Sequence, residues 1–422
     1  MSNVNDNFGL KDGGYSNYEN TTELPRHRWY YYKEGFSPLL VENAIEQVGI
    51  QKDDLIVDPF NGSGTTTLTA SLKGHKSLGI EVNPFTAFLS ETKVRNIKTE
   101  KIDFWKDTLI ENSKKGSESG LIGFSTFSET DKLNKWLFNK PILTAFEGGW
   151  NLVNTIPSPD LKKIFRLALI SSAMQNCNAT KDGKCLRYRD YWFENGFGKE
   201  TFLESLDANI KQIRSDIISH PVKDKPIIIN GDSRRVLNSS GLLDKFKLCI
   251  TSPPYLNTFD YTDIYRPELF LGKFVSTRSQ LHNLRLKTVR SHIQAKWKSP
   301  ELSDFGSLYK ETIKHVNGNI ENLMNKKIPL MIQAYFEDMF NILKMLRSKA
   351  DKDAQLWFVV SNSAYADKQV PVDLIIGDIG SQVGWFLKEV GVLRYLRKRK
   401  TKHSPNIIEL RESVVIFSAN KN

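Results

Sequence analysis

The chain has 422 residues, 40% of them hydrophobic and 25% charged, with a formal net charge of +11 at pH 7. This composition predicts a soluble globular protein with one large core or two smaller ones, and the positive charge favours a polyanionic partner. No apolar run reaches membrane-spanning length and the N-terminus lacks a signal-peptide core, so we expect no membrane partner. Cys177, Cys185 and Cys249 form neither a disulfide framework nor a metal-ligand spacing. We therefore predict a cytoplasmic protein without a bound metal.

The N-terminal segment is rich in Asn, Gly, Asp, Ser and Thr, which predicts a flexible arm over residues 1–25. An aromatic and basic stretch follows at residues 26–36. A helix pattern then runs over residues 39–48, where Ser37 is a suitable cap and Pro38 suits the first helical position.

A glycine-rich loop follows the first apolar strand pattern, residues 55–57, which ends in the carboxylate of Asp58. Loop residues 59–66 lead into a helix pattern, and strand, glycine loop and helix together predict a nucleotide-binding turn. The loop has no P-loop lysine and lacks the third glycine of a dinucleotide fingerprint. A second strand pattern ends at Glu81, about 20 residues on, where an acidic residue can hold ribose hydroxyls.

The middle of the chain, residues 95–225, has mostly helical patterns and is predicted to be a helical insert. Within it, residues 182–192 interleave basic and aromatic side chains. This pattern fits a nucleic-acid contact, but it fits a solvated loop as well. A strand pattern at residues 226–230 then leads to Asp232.

A rigid loop follows the apolar run at residues 246–250 and contains Ser252, Pro253, Pro254 and Tyr255. Two successive prolines cannot donate to a sheet ladder, so the chain leaves the sheet there, at the carboxyl end of a strand where open α/β sheets bind ligands. A hydroxyl, a carbonyl and an aromatic ring suit a flat base with an exocyclic amine. The hydroxyl and the carbonyl can accept hydrogen bonds from the amine, and the ring can stack on the base. Taken alone, the loop fits a proline-rich turn with a packing tyrosine equally well.

The two loops together resemble those of the S-adenosylmethionine-dependent amino-methyltransferases of DNA. Their cofactor loop reads like residues 58–66, and their catalytic tetrad is Ser-Pro-Pro-Tyr in most N4-cytosine enzymes and more often Asp-Pro-Pro-Tyr in N6-adenine enzymes. The resemblance implies a catalytic domain over residues 26–94 and 226–422. Many N4-cytosine enzymes have the two loops in the reverse order.

The fold class is predicted as α/β, because strand patterns alternate with helix patterns and finish in a hairpin-like pair. This order indicates a mostly parallel sheet with an antiparallel edge. The resemblance implies its Rossmann-like, seven-stranded methyltransferase version.

The resemblance also implies roles for individual residues. An acidic residue, here Asp232, binds the adenine amine of the cofactor, and Phe36 and Ser37 lie along its methionine part. The implied catalytic residues are Ser252, Pro253, Pro254 and Tyr255. The implied cofactor-binding residues are Phe36, Ser37, Asp58, Pro59, Phe60, Gly62, Ser63, Gly64, Thr65, Thr66, Glu81 and Asp232.

A second insert, residues 273–330, is the predicted target-recognition region because its first part, residues 273–300, has seven lysines and arginines and no acid. Arginine can read guanine edges, whereas lysine at phosphates mainly adds affinity. We therefore predict DNA contacts, from Arg278, Arg285 and Arg290 to base edges and from Lys287, Lys296 and Lys298 to phosphates. A solvated basic face is the alternative interpretation.

The predicted function is site-specific methylation of the N4 amine of cytosine in double-stranded DNA, by base flipping, in restriction-modification or a related defence. A cognate restriction endonuclease acting separately is a predicted partner. N6-adenine methylation is the first alternative, followed by RNA guanine-N2 methylation and a non-catalytic cofactor-binding subunit. Methylation at carbon 5 of cytosine is excluded, because that reaction typically uses a cysteine preceded by proline and none of the three cysteines follows one.

Overall fold

The computed structural model describes residues 4–9, 14–16, 21–182, 185–239, 241, 245–397, 403 and 405–421. Its strands are β1 (Val4–Asn5), β2 (Leu55–Asp58), β3 (Lys76–Glu81), β4 (Ala179–Asp182), β5 (Cys185–Tyr188), β6 (Ile227–Asn230), β7 (Phe246–Thr251), β8 (Ala350–Ser361), β9 (Ser363–Tyr365), β10 (Lys368–Val370), β11 (Phe386–Arg397) and β12 (Glu409–Ser418). Its helices are α1 (Pro38–Val48), α2 (Thr65–Lys73), α3 (Pro84–Lys93), α4 (Thr99–Lys115), α5 (Lys140–Thr155), α6 (Pro159–Gln175), α7 (Lys199–Ser219), α8 (Ser233–Val236), α9 (Tyr261–Ile264), α10 (Arg266–Leu271), α11 (Arg278–Arg285), α12 (Ser307–Gly318), α13 (Ile328–Lys349) and α14 (Val372–Gln382). Across these described ranges, every helix is too short or too polar to cross a membrane.

The central sheet has the strand order β1-β11-β12-β8-β7-β2-β3-β6. The five strands from β8 to β6 are parallel, whereas β12 runs antiparallel to both β8 and β11. The predicted α/β class with a mostly parallel sheet and an antiparallel edge is confirmed. The chain order reverses between β2 and β7, and this switch point is where open α/β sheets bind their ligands.

An eighth short strand was not predicted. Val4 and Asn5 of β1 pair in parallel with Val390 and Gly391 of β11. The ring of Phe8 packs so closely over Gly391 that a Cβ added there would lie 2.4 Å from it. The predicted flexible arm is therefore wrong for residues 4–9, which are docked on the sheet edge. Residues 1–3, 10–13 and 17–20 of the predicted arm lie outside the described residues.

Two helical layers cover the sheet because neighbouring residues of each strand face opposite sides. Ile56 and Leu248 pack with Leu40 of α1 on one side. Val57 and Cys249 pack on the other side, in the cluster that contains the buried residues of α13 and α14. Cys249 is completely buried, as expected for a core residue.

The predicted helical insert, residues 95–225, contains α4 to α7 and the β4–β5 hairpin. Asp216 of α7 is fully buried and accepts hydrogen bonds from the backbone N–H of Arg26 at 2.8 Å and from Trp29 Nε1 at 2.9 Å. The guanidinium of Arg28 pairs with the same carboxylate at 2.6 Å. These contacts tie the insert to the segment that leads into the cofactor loop.

Candidate active site

A cavity of about 570 Å³ opens where β2 and β7 end. The two strands are neighbours, with Ile56 opposite Leu248. Thr251, the last residue of β7, donates a hydrogen bond from Oγ1 to Asp58 Oδ1 at 2.5 Å. The cofactor loop and the catalytic loop therefore leave the sheet side by side, and both line one cavity of the size expected for a small-molecule site.

The cofactor loop is held by two carboxylates at the ends of β2 and β3. Asp58 Oδ1 accepts from the backbone N–H of Phe60 at 2.9 Å, and Glu81 Oε2 accepts from the N–H of Gly62 at 2.7 Å. Gly62 has a φ of +49° and Gly64 a φ of +87°, a conformation that glycine adopts without strain. The loop then enters α2, whose N-terminal N–H groups favour anionic or polar ligand atoms.

The structure brings nine of the twelve predicted cofactor residues to the cavity lining: Phe36, Asp58, Pro59, Phe60, Gly62, Ser63, Thr65, Glu81 and Asp232. The other three do not line it. Ser37 Oγ caps α1 by accepting from Leu39 N at 3.3 Å, and Thr66 Oγ1 donates to the carbonyl of Ile250. Gly64 is the N-cap of α2, and a Cβ there would lie 2.7 Å from Ser90 Cβ. These three residues have structural roles: Ser37 at the start of α1, and Gly64 and Thr66 at the start of α2.

Asp232 lines the cavity but is also engaged within the protein. It caps α8 by accepting from Arg234 N at 3.0 Å. The Arg234 guanidinium donates to both Asp232 oxygens at 2.9 Å and also pairs with Asp338 at 3.0 Å. The predicted acceptor of the adenine amine is thus held in a fixed orientation.

The catalytic loop forms a hydrogen-bonded group with the antiparallel edge of the sheet. Tyr255 Oη donates to Glu412 Oε1 at 2.7 Å, and Ser252 Oγ lies 3.4 Å from Tyr255 Oη. Glu412 Oε2 accepts from Arg394 Nε at 2.6 Å. Burial, followed by the charge of Glu412, raises the pKa of Tyr255 well above its usual value, so the phenol stays protonated as a donor.

Sequence reasoning missed Glu412 and Arg394, which both line the cavity. Glu412 is only 5% exposed although Glu409, Arg411 and Ser413 around it in β12 are also polar. A carboxylate at a buried strand position is itself a signal, because an unpaired buried charge is costly. The polar sequence around Glu412 hides this signal, and only the structure shows that the carboxylate is buried and paired.

A tyrosine-rich wall of the cavity was also missed. The rings of Tyr32 and Tyr265 stack with centroids 5.3 Å apart, and Tyr265 Oη donates to Glu34. Lys181 from β4 of the helical insert lies 3.6 Å above the Tyr265 ring and 2.5 Å from a Glu268 oxygen. The helical insert therefore reaches the wall of the cavity.

The predicted DNA-binding residues separate into two groups. Arg290 is 9% exposed and pairs with Glu337 at 2.6 Å and Asp338 at 2.8 Å, while Arg285 pairs with Asp260 at 2.5 Å. Both guanidinium groups are engaged in internal ion pairs, which argues against the prediction that these two arginines read base edges. The four other predicted residues have exposed positions: Arg278, Lys287, Lys296 and Lys298.

These four exposed residues differ in their surroundings. Lys287 also lines the cavity. Lys298 forms an exposed ion pair with Glu301 at 2.6 Å.

Comparison with known proteins identifies the family. The model of the N6/N4 DNA methylase family matches residues 3–91. The type II methyltransferase M.BsoBI of Geobacillus stearothermophilus is 30% identical over 448 residues, covering 93% of this chain and 85% of that protein. The chain belongs to the DNA amino-methyltransferase family.

Two further similarities are more distant. The type II methyltransferase M.AvaI of Nostoc sp. is 27% identical to this amino-methyltransferase over 407 residues, covering 87% of this chain and 81% of that protein. Among solved structures, the rRNA methyltransferase aviRa of Streptomyces viridochromogenes has a TM-score of 0.31 at 10% identity, covering 96% of this chain and 87% of that one. A TM-score this low supports no conclusion.

The amino-methyltransferase acts on DNA and uses S-adenosylmethionine. The lining of the cavity fits this cofactor, which carries a sulfonium and an ammonium group. Burial raises the pKa of Asp58 to about 6 and also raises the pKa of Glu81. A nearby cation would stabilise the charged form of both carboxyl groups. The rings of Tyr32 and Tyr261 add π-faces, which attract cations.

Glu81→Ala should weaken S-adenosylmethionine binding by about 1–3 kcal/mol, because the lost carboxylate accepts a hydrogen bond from Gly62 N–H and is expected to accept from the ribose hydroxyls. Calorimetric titration of the purified protein measures this loss without relying on activity. Glu111→Ala, which changes an exposed residue of α4, is the matched control and should bind normally. Unchanged affinity in Glu81→Ala would remove Glu81 from the cofactor site.

Proposed function

We propose that this amino-methyltransferase modifies the N4 amine of cytosine at a specific site in duplex DNA. The observation that carries the proposal is Ser252-Pro253-Pro254-Tyr255 at the end of β7, in the same cavity as the cofactor loop. In the family, serine at the first tetrad position is associated with cytosine, and aspartate more often with adenine. Adenine N6 is the alternative acceptor, because the two amines require nearly the same chemistry.

The residues of the catalytic loop are suited to activating an amine. The amine of a nucleobase is a poor nucleophile because its lone pair is delocalised into the ring. Ser252 Oγ and the Pro253 carbonyl accept its two hydrogens, which favours a pyramidal nitrogen and aims the lone pair. S-adenosylmethionine supplies the electrophilic methyl group. No strong general base is needed, since the nitrogen becomes acidic as it is alkylated, and the protein contributes orientation and polarity.

The target base has to leave the double helix to reach these residues, because they lie inside a cavity. Flipping costs a few kcal/mol, and stacking in the pocket offsets it. Tyr255 is proposed as the stacking surface, with its ring held in place through its hydroxyl group by Glu412. The proposed cofactor contacts are the lining residues of the loop together with Glu81 and Asp232.

The target base is identified by mass spectrometry of nucleosides from DNA of cells that express the protein. We expect N4-methylcytosine, and none in cells that express Ser252→Ala. N6-methyladenine without N4-methylcytosine would reassign the enzyme to adenine. Methylated guanine in RNA, with no modified DNA base, would favour the RNA alternative.

We also propose how the chain is divided between catalysis and recognition. Residues 26–94 and 226–422 form the catalytic domain, within which residues 273–330 contribute to target recognition. The helical insert, residues 95–225, supports the wall of the cavity through Lys181. Restriction-modification with a separately acting endonuclease, in the cytoplasm, is the proposed setting, as the type II designation of the relatives suggests.

Lys287 is proposed to contact a DNA phosphate, because it is exposed and lies at the cavity lining. Lys287→Ala should weaken binding similarly on all DNA sequences and reduce the slope of log K against log salt by about one. Fluorescence anisotropy over a salt series measures this slope. Lys52→Ala is the matched control, because exposed Lys52 precedes β2, at the end of the sheet away from the cavity. Equal slopes for both variants and the unmodified protein would contradict the contact.

A further inference from the structure

Ser252 has to act as an acceptor, yet a serine hydroxyl can equally well donate. Aspartate at this position of the tetrad has no such ambiguity, because a carboxylate only accepts. A serine therefore needs a neighbour that takes its hydrogen and leaves its lone pairs toward the substrate. The surroundings of Tyr255 provide this neighbour.

The hydrogen-bond chain from Ser252 ends at an acceptor-only group. Glu412 Oε1 accepts a hydrogen bond from Tyr255 Oη at 2.7 Å, and Glu412 Oε2 accepts one from Arg394 Nε at 2.6 Å. A carboxylate has no hydrogen to give, so the Tyr255 hydroxyl has to be the donor in this pair. The lone pairs of Tyr255 Oη are then available to Ser252 Oγ, which lies 3.4 Å away.

We propose that Glu412 is a positioning residue that fixes the direction of this chain, from Ser252 to Tyr255 to Glu412. In that direction the single hydroxyl hydrogen of Ser252 points to Tyr255, and its lone pairs point to the exocyclic amine. Glu412 thus makes a serine serve in the role that aspartate has in other enzymes of the family. The inference rests on the proposed function, because it assigns Ser252 to the amine.

Burial makes the arrangement specific. Glu412 is 5% exposed and the side chain of Arg394 is 32% exposed, so water competes weakly for the carboxylate. The distance between Ser252 Oγ and Tyr255 Oη is long for a hydrogen bond between hydroxyl groups. Such contacts commonly tighten when the substrate fills the site.

The test is a double-mutant cycle with Glu412→Gln and Tyr255→Phe. The amide of Gln can donate to Tyr255 and so reverse the chain, whereas Phe removes the hydroxyl altogether. Each single change should lower kcat about tenfold, the scale of one hydrogen bond, with KM for DNA and cofactor affinity within about twofold of the unmodified protein. The double variant should be no slower than the slower single variant, because both changes break the same chain.

A rescue experiment separates positioning from a general structural role. In Ser252→Asp, the acceptor needs no orientation, so adding Glu412→Gln should leave the remaining kcat unchanged. Thermal unfolding and calorimetric titration with S-adenosylmethionine check that each variant is folded. If Glu412→Gln does not fold, Tyr255→Phe alone tests the proposal, because this variant lacks only one oxygen atom. The proposal then requires that Tyr255→Phe lower kcat about tenfold.

Three outcomes would overturn the proposal: unchanged kcat in Glu412→Gln, unchanged kcat in Tyr255→Phe, or losses that multiply in the double variant. Failure of the proposed function would look different. In that case the unmodified protein itself would form no N4-methylcytosine in the same assay, and would methylate either adenine or no DNA base.

Discussion

Tyr255→Ala should lower the rate of methyl transfer roughly 100-fold, because stacking of a base on an aromatic ring contributes about 1–3 kcal/mol. The alanine variant also loses the hydroxyl that bonds Glu412 at 2.7 Å. Binding of S-adenosylmethionine should persist, since the cofactor loop is held by Asp58 and Glu81 and not by Tyr255. Single-turnover kinetics on duplex DNA and calorimetric titration measure the two quantities separately.

The ring and the hydroxyl of Tyr255 are separated by matched variants. Tyr255→Phe keeps the stacking surface and loses only the hydroxyl, so it should retain about a tenth of the rate, the effect of one hydrogen bond. Tyr255→Trp also keeps a stacking surface and loses the hydroxyl, so it should retain a similar part of the rate. If alanine were tolerated as well as phenylalanine, the stacking role would be wrong.

Arg290→Met should lower the free energy of unfolding by about 3 kcal/mol, because removing one member of a buried ion pair leaves its partners uncompensated. Its guanidinium, in the second insert (residues 273–330), pairs with Glu337 and Asp338 of α13. Asp338 also forms an ion pair with Arg234 at 3.0 Å. Arg290 therefore joins the insert to the element that carries Asp232.

Chemical denaturation of Arg290→Met measures this loss. Arg278→Ala is the control, because Arg278 is exposed at the first position of α11, where substitutions typically change stability by less than about 0.5 kcal/mol. Unchanged stability of Arg290→Met, together with a relaxed methylated motif, would return Arg290 to the base-reading role that the structure argues against.

The cofactor and catalytic loops could be predicted because their signals are local. Each loop directly follows a strand, so the functional residues of 58–66 and 252–255 are close together in the sequence as well as in the structure. Parallel neighbouring strands then bring the two loops together. This is why most of the predicted lining residues reached the cavity.

The partners of the charged residues could not be predicted from local sequence. Residues 273–300 contain no acid, but Arg285 and Arg290 find Asp260 and the acids of α13 across the fold. Glu412 similarly lies 157 positions from Tyr255. A run of positively charged residues therefore indicates only the charge of its own segment. The tertiary structure is needed to show which of these residues form internal ion pairs.

The N-terminal segment shows the same limitation. Its polar composition is typical of a flexible arm. Residues 4–9 nevertheless dock on the edge of the sheet, where Phe8 packs against Gly391. Composition averages over a segment, whereas docking depends on single contacts.

The most direct test of the central claim is methyl transfer by the purified protein from S-adenosylmethionine with a deuterated methyl group to duplex DNA, followed by nucleoside mass spectrometry. The proposed function predicts label on the N4 amine of deoxycytidine, and loss of that label in Ser252→Ala and Tyr255→Ala. Label on another nucleoside, or undiminished label in both variants, would contradict the account.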